Sequence, residues 1–93
     1  MEKADAKIKR NNNGEVVEVD FDNTEVTDAG LADLKRLTKL QMLRLSRSQV
    51  TDSGLVHLLG LTNLQRLYLS RTQVTRAGIG ELKQALPNCR IIK

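Results

Sequence analysis

VTDAGL at residues 26–31, VTDSGL at 50–55 and VTRAGI at 74–79 are versions of one phrase, recurring at a spacing of 24 residues. Repetition at such a period implies stacked copies of one supersecondary unit, none of which can bury its apolar face alone. A second echo lies upstream of each phrase: VVEVDFDNT from Val16, LQMLRLSRS from Leu40 and LQRLYLSRT from Leu64. A further unit opens at Cys89, where CRIIK aligns with LQMLR if Ala85 is one extra residue in the third helix. On that alignment Lys93 falls in the column of Arg44 and Tyr68. The expected organisation is one domain: residues 1–15 a cap strand and turn, 16–39, 40–63 and 64–88 the repeats, and 89–93 a closing strand.

Within each unit, Val19-Asp20-Phe21, Leu43-Arg44-Leu45 and Leu67-Tyr68-Leu69 alternate with a period of two, the pattern of a short strand with one buried face. A turn follows, carrying Thr24, Ser48 or Thr72, whose hydroxyl suits backbone groups that no neighbouring strand satisfies. Val26, Val50 and Val74 then point inward. Thr27, Thr51 and Thr75, with Asp28 and Asp52 behind the first two, are residue types that cap and electrostatically complement a helix start. Arg76 takes the third acidic place. A helix is expected after each cap, with inward stripes Leu31/Leu34/Leu37, Leu55/Leu58/Leu61 and Ile79/Leu82/Leu86. Gly30, Gly54 and Gly78 recur for helix entry and packing, and do not belong to a phosphate-binding GxxxxGK loop.

The consensus LxxLxLxxTxVTDxGLxxLxxL resembles the leucine-rich repeat in its 24-residue bacterial form. It is also similar to the ribonuclease-inhibitor-like and F-box-associated repeats, departing from them where Thr24, Ser48 and Thr72 replace the usual cysteine or asparagine. The resemblance spans residues 16–93. It implies an α/β fold: a short solenoid with a parallel sheet on the concave side and helices on the convex side. It implies fold strongly and function weakly, since such repeats bind many unrelated partners.

The ends depart from the repeat. Lys7-Ile8-Lys9-Arg10, the polar stretch Asn11 to Gly14, and Val16 to Phe21 read as strand, turn and strand, a β-hairpin capping the amino-terminal end. Pro87 stops the third helix, and Asn88 turns the chain into a last strand at Cys89 to Ile92. ALPNC resembles a closing unit of the bacterial class, so the expectation is a complete carboxyl end.

Composition narrows the class of function. Phe21 and Tyr68 are the only aromatics and there is no Trp, so the core must be leucine, valine and isoleucine. Cys89 is the lone cysteine, in a position held elsewhere by Leu40 and Leu64, and reads as a small buried apolar residue. No CxxC or Cys/His cluster offers a metal site, and no cofactor motif is present. His57, the only histidine, is expected exposed on the outer side of the second helix. With no nucleophile–base pair or carboxylate dyad, a non-enzymatic role is expected. The amino-terminal MEKADAKIKR lacks a signal-peptide apolar stretch, and no run approaches the roughly 18 apolar residues of a membrane span, so a soluble cytoplasmic chain is expected.

The outward strand columns are the candidate partner-binding surface, with an unidentified protein as the expected ligand. They comprise Glu18, Met42 and Arg66; then Asp20, Arg44 and Tyr68; then Asp22, Ser46 and Ser70; then Asn23, Arg47 and Arg71. The first repeat is acidic, whereas Arg44, Arg47, Arg66 and Arg71 surround Tyr68, a combination enriched in binding hot spots. Arg44 can reach both Asp20 and Tyr68, giving a solvated face without a partner as the bland alternative. Nucleic acid or another polyanion is the second ligand reading, consistent with the formal charge of +4 and opposed by Glu18, Asp20 and Asp22. Four strands about 4.8 Å apart give a face roughly 15–20 Å wide, short of the roughly 800 Å² per partner of a standard interface. Loops must therefore contribute, or affinity is modest, and weak self-association through sheet edges is a further expectation.

Overall fold

The computed structural model describes residues 6–93; residues 1–5 of the expected cap lie outside this range. The chain forms a small α/β domain around a five-stranded mixed sheet. In chain order the elements are β1 (Lys7–Arg10), β2 (Val16–Asp20), α1 (Asp28–Leu31), β3 (Met42–Arg44), α2 (Asp52–Leu55), β4 (Arg66–Tyr68), α3 (Arg76–Ala85) and β5 (Arg90–Ile92). Strand order in the sheet equals sequence order. β1 pairs with β2 antiparallel, closing the hairpin around Asn11, whose Oδ1 accepts from the N–H groups of Asn13 and Glu15. Gly14 supplies the left-handed conformation that the turn needs, at φ 81°. The pairings from β2 to β5 are parallel.

Alternation along β2 to β4 buries Val19, Leu43 and Leu67, which are register partners, and leaves their neighbours outward. Phe21, Leu45 and Leu69 are fully buried just beyond the strand ends, and Val26, Val50 and Val74 are buried after the turn. Leu31, Leu34, Leu55, Leu58 and Leu82 close the interior from the helical side. Equivalent apolar side chains thus stack at intervals of 24 residues.

The helices differ from one another, for a reason visible in the leucine spacing. α1 and α2 tighten into 3₁₀ turns at Ala32–Arg36 and Val56–Leu58, whereas α3 stays α-helical for ten residues. Their inward positions 31/34/37 and 55/58/61 are three apart, the period of a 3₁₀ helix; positions 79/82/86 alternate three and four, the α-helical period. Ala85 is the residue that makes the difference.

That extra residue is absorbed before the sheet is reached again. Cys89 N–H bonds Leu86 O as Leu64 N–H bonds Leu61 O, an offset of 25, yet Arg90 pairs with Arg66 at an offset of 24. The expected column for Lys93 is therefore corrected by one residue: Ile92, not Lys93, lies beside Tyr68. The Lys93 ammonium instead donates to the carbonyl of Val74. The corresponding carbonyls of Val26 and Val50 accept from the backbone N–H groups of Gln49 and Gln73 in the following unit.

Candidate functional site

The outward strand face is assembled in register. Glu18, Met42, Arg66 and Arg90 form one row and Asp20, Arg44, Tyr68 and Ile92 the next. Beyond the strands the ladder continues through Asn23 N–H to Ser46 O and Arg47 N–H to Ser70 O. This continuation requires a sharp turn in every unit. Asn23, Arg47 and Arg71 all occupy left-handed backbone, at φ 60°, 59° and 58°. The hydroxyls of Thr24, Ser48 and Thr72 close the same turns by donating to the carbonyls of Phe21, Leu45 and Leu69, as expected.

Charge on this face is divided unequally. Arg44 Nε donates to Asp22 Oδ2 at 2.8 Å and lies 3.9 Å from Asp20 Oδ2. Its guanidinium carbon sits 4.5 Å from the centroid of the Tyr68 ring, within cation–π reach. The hydrogen bond to Asp22, aided by both carboxylates, holds the Arg44 pKa above its ordinary value against the opposing effect of partial desolvation. Asp22 Oδ1 also accepts from Ser46 N–H, and Asp20 Oδ1 accepts from Asp22 N–H. Asp20 and Asp22 are thereby committed to internal bonds, whereas Arg47, Arg66, Arg71 and Arg90 are exposed and form no ion pair among the described residues. A shallow cleft of about 180 Å³ between Lys7, Ile8, Lys9, Glu18, Asp20 and Met42 extends the face onto the hairpin.

Asp28 and Asp52 have a role that capping chemistry alone does not reveal. Asp28 accepts the backbone N–H of Thr51 at 2.7 Å and its hydroxyl at 2.5 Å, and Asp52 does the same for Thr75 at 2.8 and 2.5 Å. The two carboxylates therefore clamp successive units rather than pairing with each other. Gly54 and Gly78 are required by this clamp, since a Cβ at either would collide with the Asp28 or Asp52 carboxylate. The signal was present as an Asp followed by a Gly 26 residues later. Thr51 and Thr75 remain helix caps as expected, accepting weakly from Ser53 and Gly78 N–H, while Thr27 makes no side-chain cap bond.

His57, within the 3₁₀ turn Val56–Leu58, is half-buried rather than exposed; its buried Nδ1 has no hydrogen-bond partner among the described residues. Val56 and Leu59 beside it are the exposed apolar residues of this side, at 56% and 39%. Cys89 is buried, which pushes its thiol pKa up. Among the described residues no group of three or more His, Cys, Asp or Glu gathers as a metal site, and no helix is long and apolar enough to cross a membrane. No family model matches the chain, and a search of curated proteins finds no match.

Proposed function

We propose that this chain is a short leucine-rich-repeat solenoid acting as a non-enzymatic protein-binding module, with the outward strand face as its binding surface. One observation carries the reading. Positions that recur every 24 residues have structural work: the buried leucines, the hydroxyls closing the turns, and the aspartates and glycines of the clamp. The outward strand positions, free of that work, change in chemistry from unit to unit, at Glu18/Met42/Arg66 and Asp20/Arg44/Tyr68. A repeated scaffold whose strand face varies in this way presents an individual recognition surface. Tyr68 and Arg44, stacked at its centre, are the residue types that dominate interface energetics.

The polyanion reading is weaker, because Arg44 is already neutralised by Asp22 and Asp20. Affinity capture from cell extract tests the preferred reading. Tyr68→Ala should lower recovery of a specific protein by at least about tenfold, and neutralising Arg44, Arg66 and Arg71 together should do the same. Undiminished capture by both variants would remove the strand face from consideration.

A further inference from the structure

The geometry points to an acidic, carboxylate-bearing protein segment as the ligand of the strand face, bound at its β4–β5 side through Arg66 and Arg90. This inference rests on reading the face as a protein-binding surface. Arg66 and Arg90 are register partners on neighbouring parallel strands, which places their backbones about 4.8 Å apart with both side chains outward. Like charges directly opposite on adjacent strands destabilise a sheet. Elsewhere on the face charge is balanced: in the next row, Arg44 lies against Asp22 and Asp20. Arg66 and Arg90 form no ion pair among the described residues and are exposed. A carboxylate placed between them relieves the repulsion, and the planar guanidinium donors match its two oxygens.

The surroundings define the rest of the ligand. Two residues along the strands, Tyr68 lies beside Ile92, both half-buried, giving an apolar floor whose ring is held from the other side by Arg44. Past the strand end stands Arg71, exposed at φ 58°. A step of two strand residues is about 6.6 Å, so an extended ligand would carry an apolar side chain two positions from its first acidic residue. A second acidic residue further on would reach Arg71. A nucleic acid fits less well, since one aromatic ring offers little base stacking.

The test is an NMR titration of the full chain, following backbone amides and arginine Nε–Hε signals. The probe is a short synthetic peptide with glutamates, then leucine, then aspartates. Parallel arms use its Gln/Asn counterpart and a single-stranded oligonucleotide, at near-physiological salt. The expected result is a set of shifts at Arg66, Arg90 and Tyr68, with at least about tenfold weaker binding of the neutral peptide. Arg66→Glu combined with Arg90→Glu should abolish binding and create preference for a lysine version of the peptide, its amide spectrum confirming the fold. Shifts confined to Met42, Arg44 and Tyr68 would overturn the acidic assignment alone and leave the strand-face reading standing. Shifts only outside the strand face, with Tyr68→Ala binding normally, would overturn both. Failure of the acidic peptide to bind at millimolar concentration, or tighter binding of the oligonucleotide, would overturn the assignment.

Discussion

Asp28 and Thr51, one in each of two successive units, are joined twice: the carboxylate takes the Thr51 backbone N–H at 2.7 Å and its hydroxyl at 2.5 Å. The bond pair fixes the start of α2 against α1 while satisfying an N–H that the helix itself leaves free. Asp28→Ala removes both acceptors, and a loss of about 1 to 3 kcal/mol is expected by urea unfolding. Asp28→Asn, which keeps one acceptor, should lose less. Equal losses would mean that the one remaining acceptor contributes nothing and that both carboxylate oxygens are needed together.

Asp52 makes the equivalent pair with Thr75. Those hydrogen bonds, side chain first and backbone second, lower its pKa, with the Lys93 charge assisting. A depressed folded-state pKa contributes stability above the unfolded value of about 4 and loses it as pH falls through the folded value. The gap in Tm between wild type and Asp52→Ala should therefore be open at neutral pH and narrow progressively as pH falls below about 4. Thermal melts across that range decide it, and a gap that widened on acidification would reverse the sign.

Two glycines of α3 should respond oppositely to alanine. At Gly80 nothing approaches the new methyl group, and Gly80→Ala should stabilise by about 0.5 to 1 kcal/mol through helix propensity. At Gly78 the methyl group meets the Asp52 carboxylate, and Gly78→Ala should destabilise by about 1 to 3 kcal/mol. Adding Asp52→Ala to Gly78→Ala should recover part of that loss, a coupling visible in a double-mutant cycle.

Arg47 occupies left-handed backbone without a glycine's freedom. Arg47→Gly keeps the turn and relieves that cost, with a gain of about 0.5 to 1 kcal/mol expected from denaturant midpoints. Loss of stability would show that the arginine side chain contributes more than its backbone strain.

Leu45 and Leu58 are both fully buried, one behind the sheet and one beneath the helices. Truncation of either to alanine should cost about 2 to 5 kcal/mol, combining lost burial with the cavity left behind. A change below about half a kilocalorie at either position would contradict its place in the core.

The strand register, the closing hydroxyls and the buried valines were legible because each depends on local alternation or on a single side chain repeated three times. The 3₁₀ turns were written in the three-residue spacing of Leu31, Leu34 and Leu37, but a helix and a 3₁₀ turn bury the same leucines, so the pattern alone reads as a helix. The clamp escaped because Asp28 also suits its own helix start, and a local explanation conceals a bond to a residue 23 positions ahead. The column of Arg90 was missed for a different reason. One residue added at Ala85 and one removed after Cys89 cancel, and only the pairing of β4 with β5 exposes the second change.

Because each clamp takes its acceptor from one unit and its donors from the next, a 24-residue block copied in frame between residues 63 and 64 would bring matching halves to both new junctions. Asp52 would meet the copied threonine, and the copied aspartate would meet Thr75. Each copy would widen the strand face by about 4.8 Å without any redesign of the scaffold. Copying the third block after itself would leave the new junction unclamped, since Arg76 stands where the acceptor should be. Growth of this architecture by duplication thus keeps every clamp in the middle and loses one beyond the third unit.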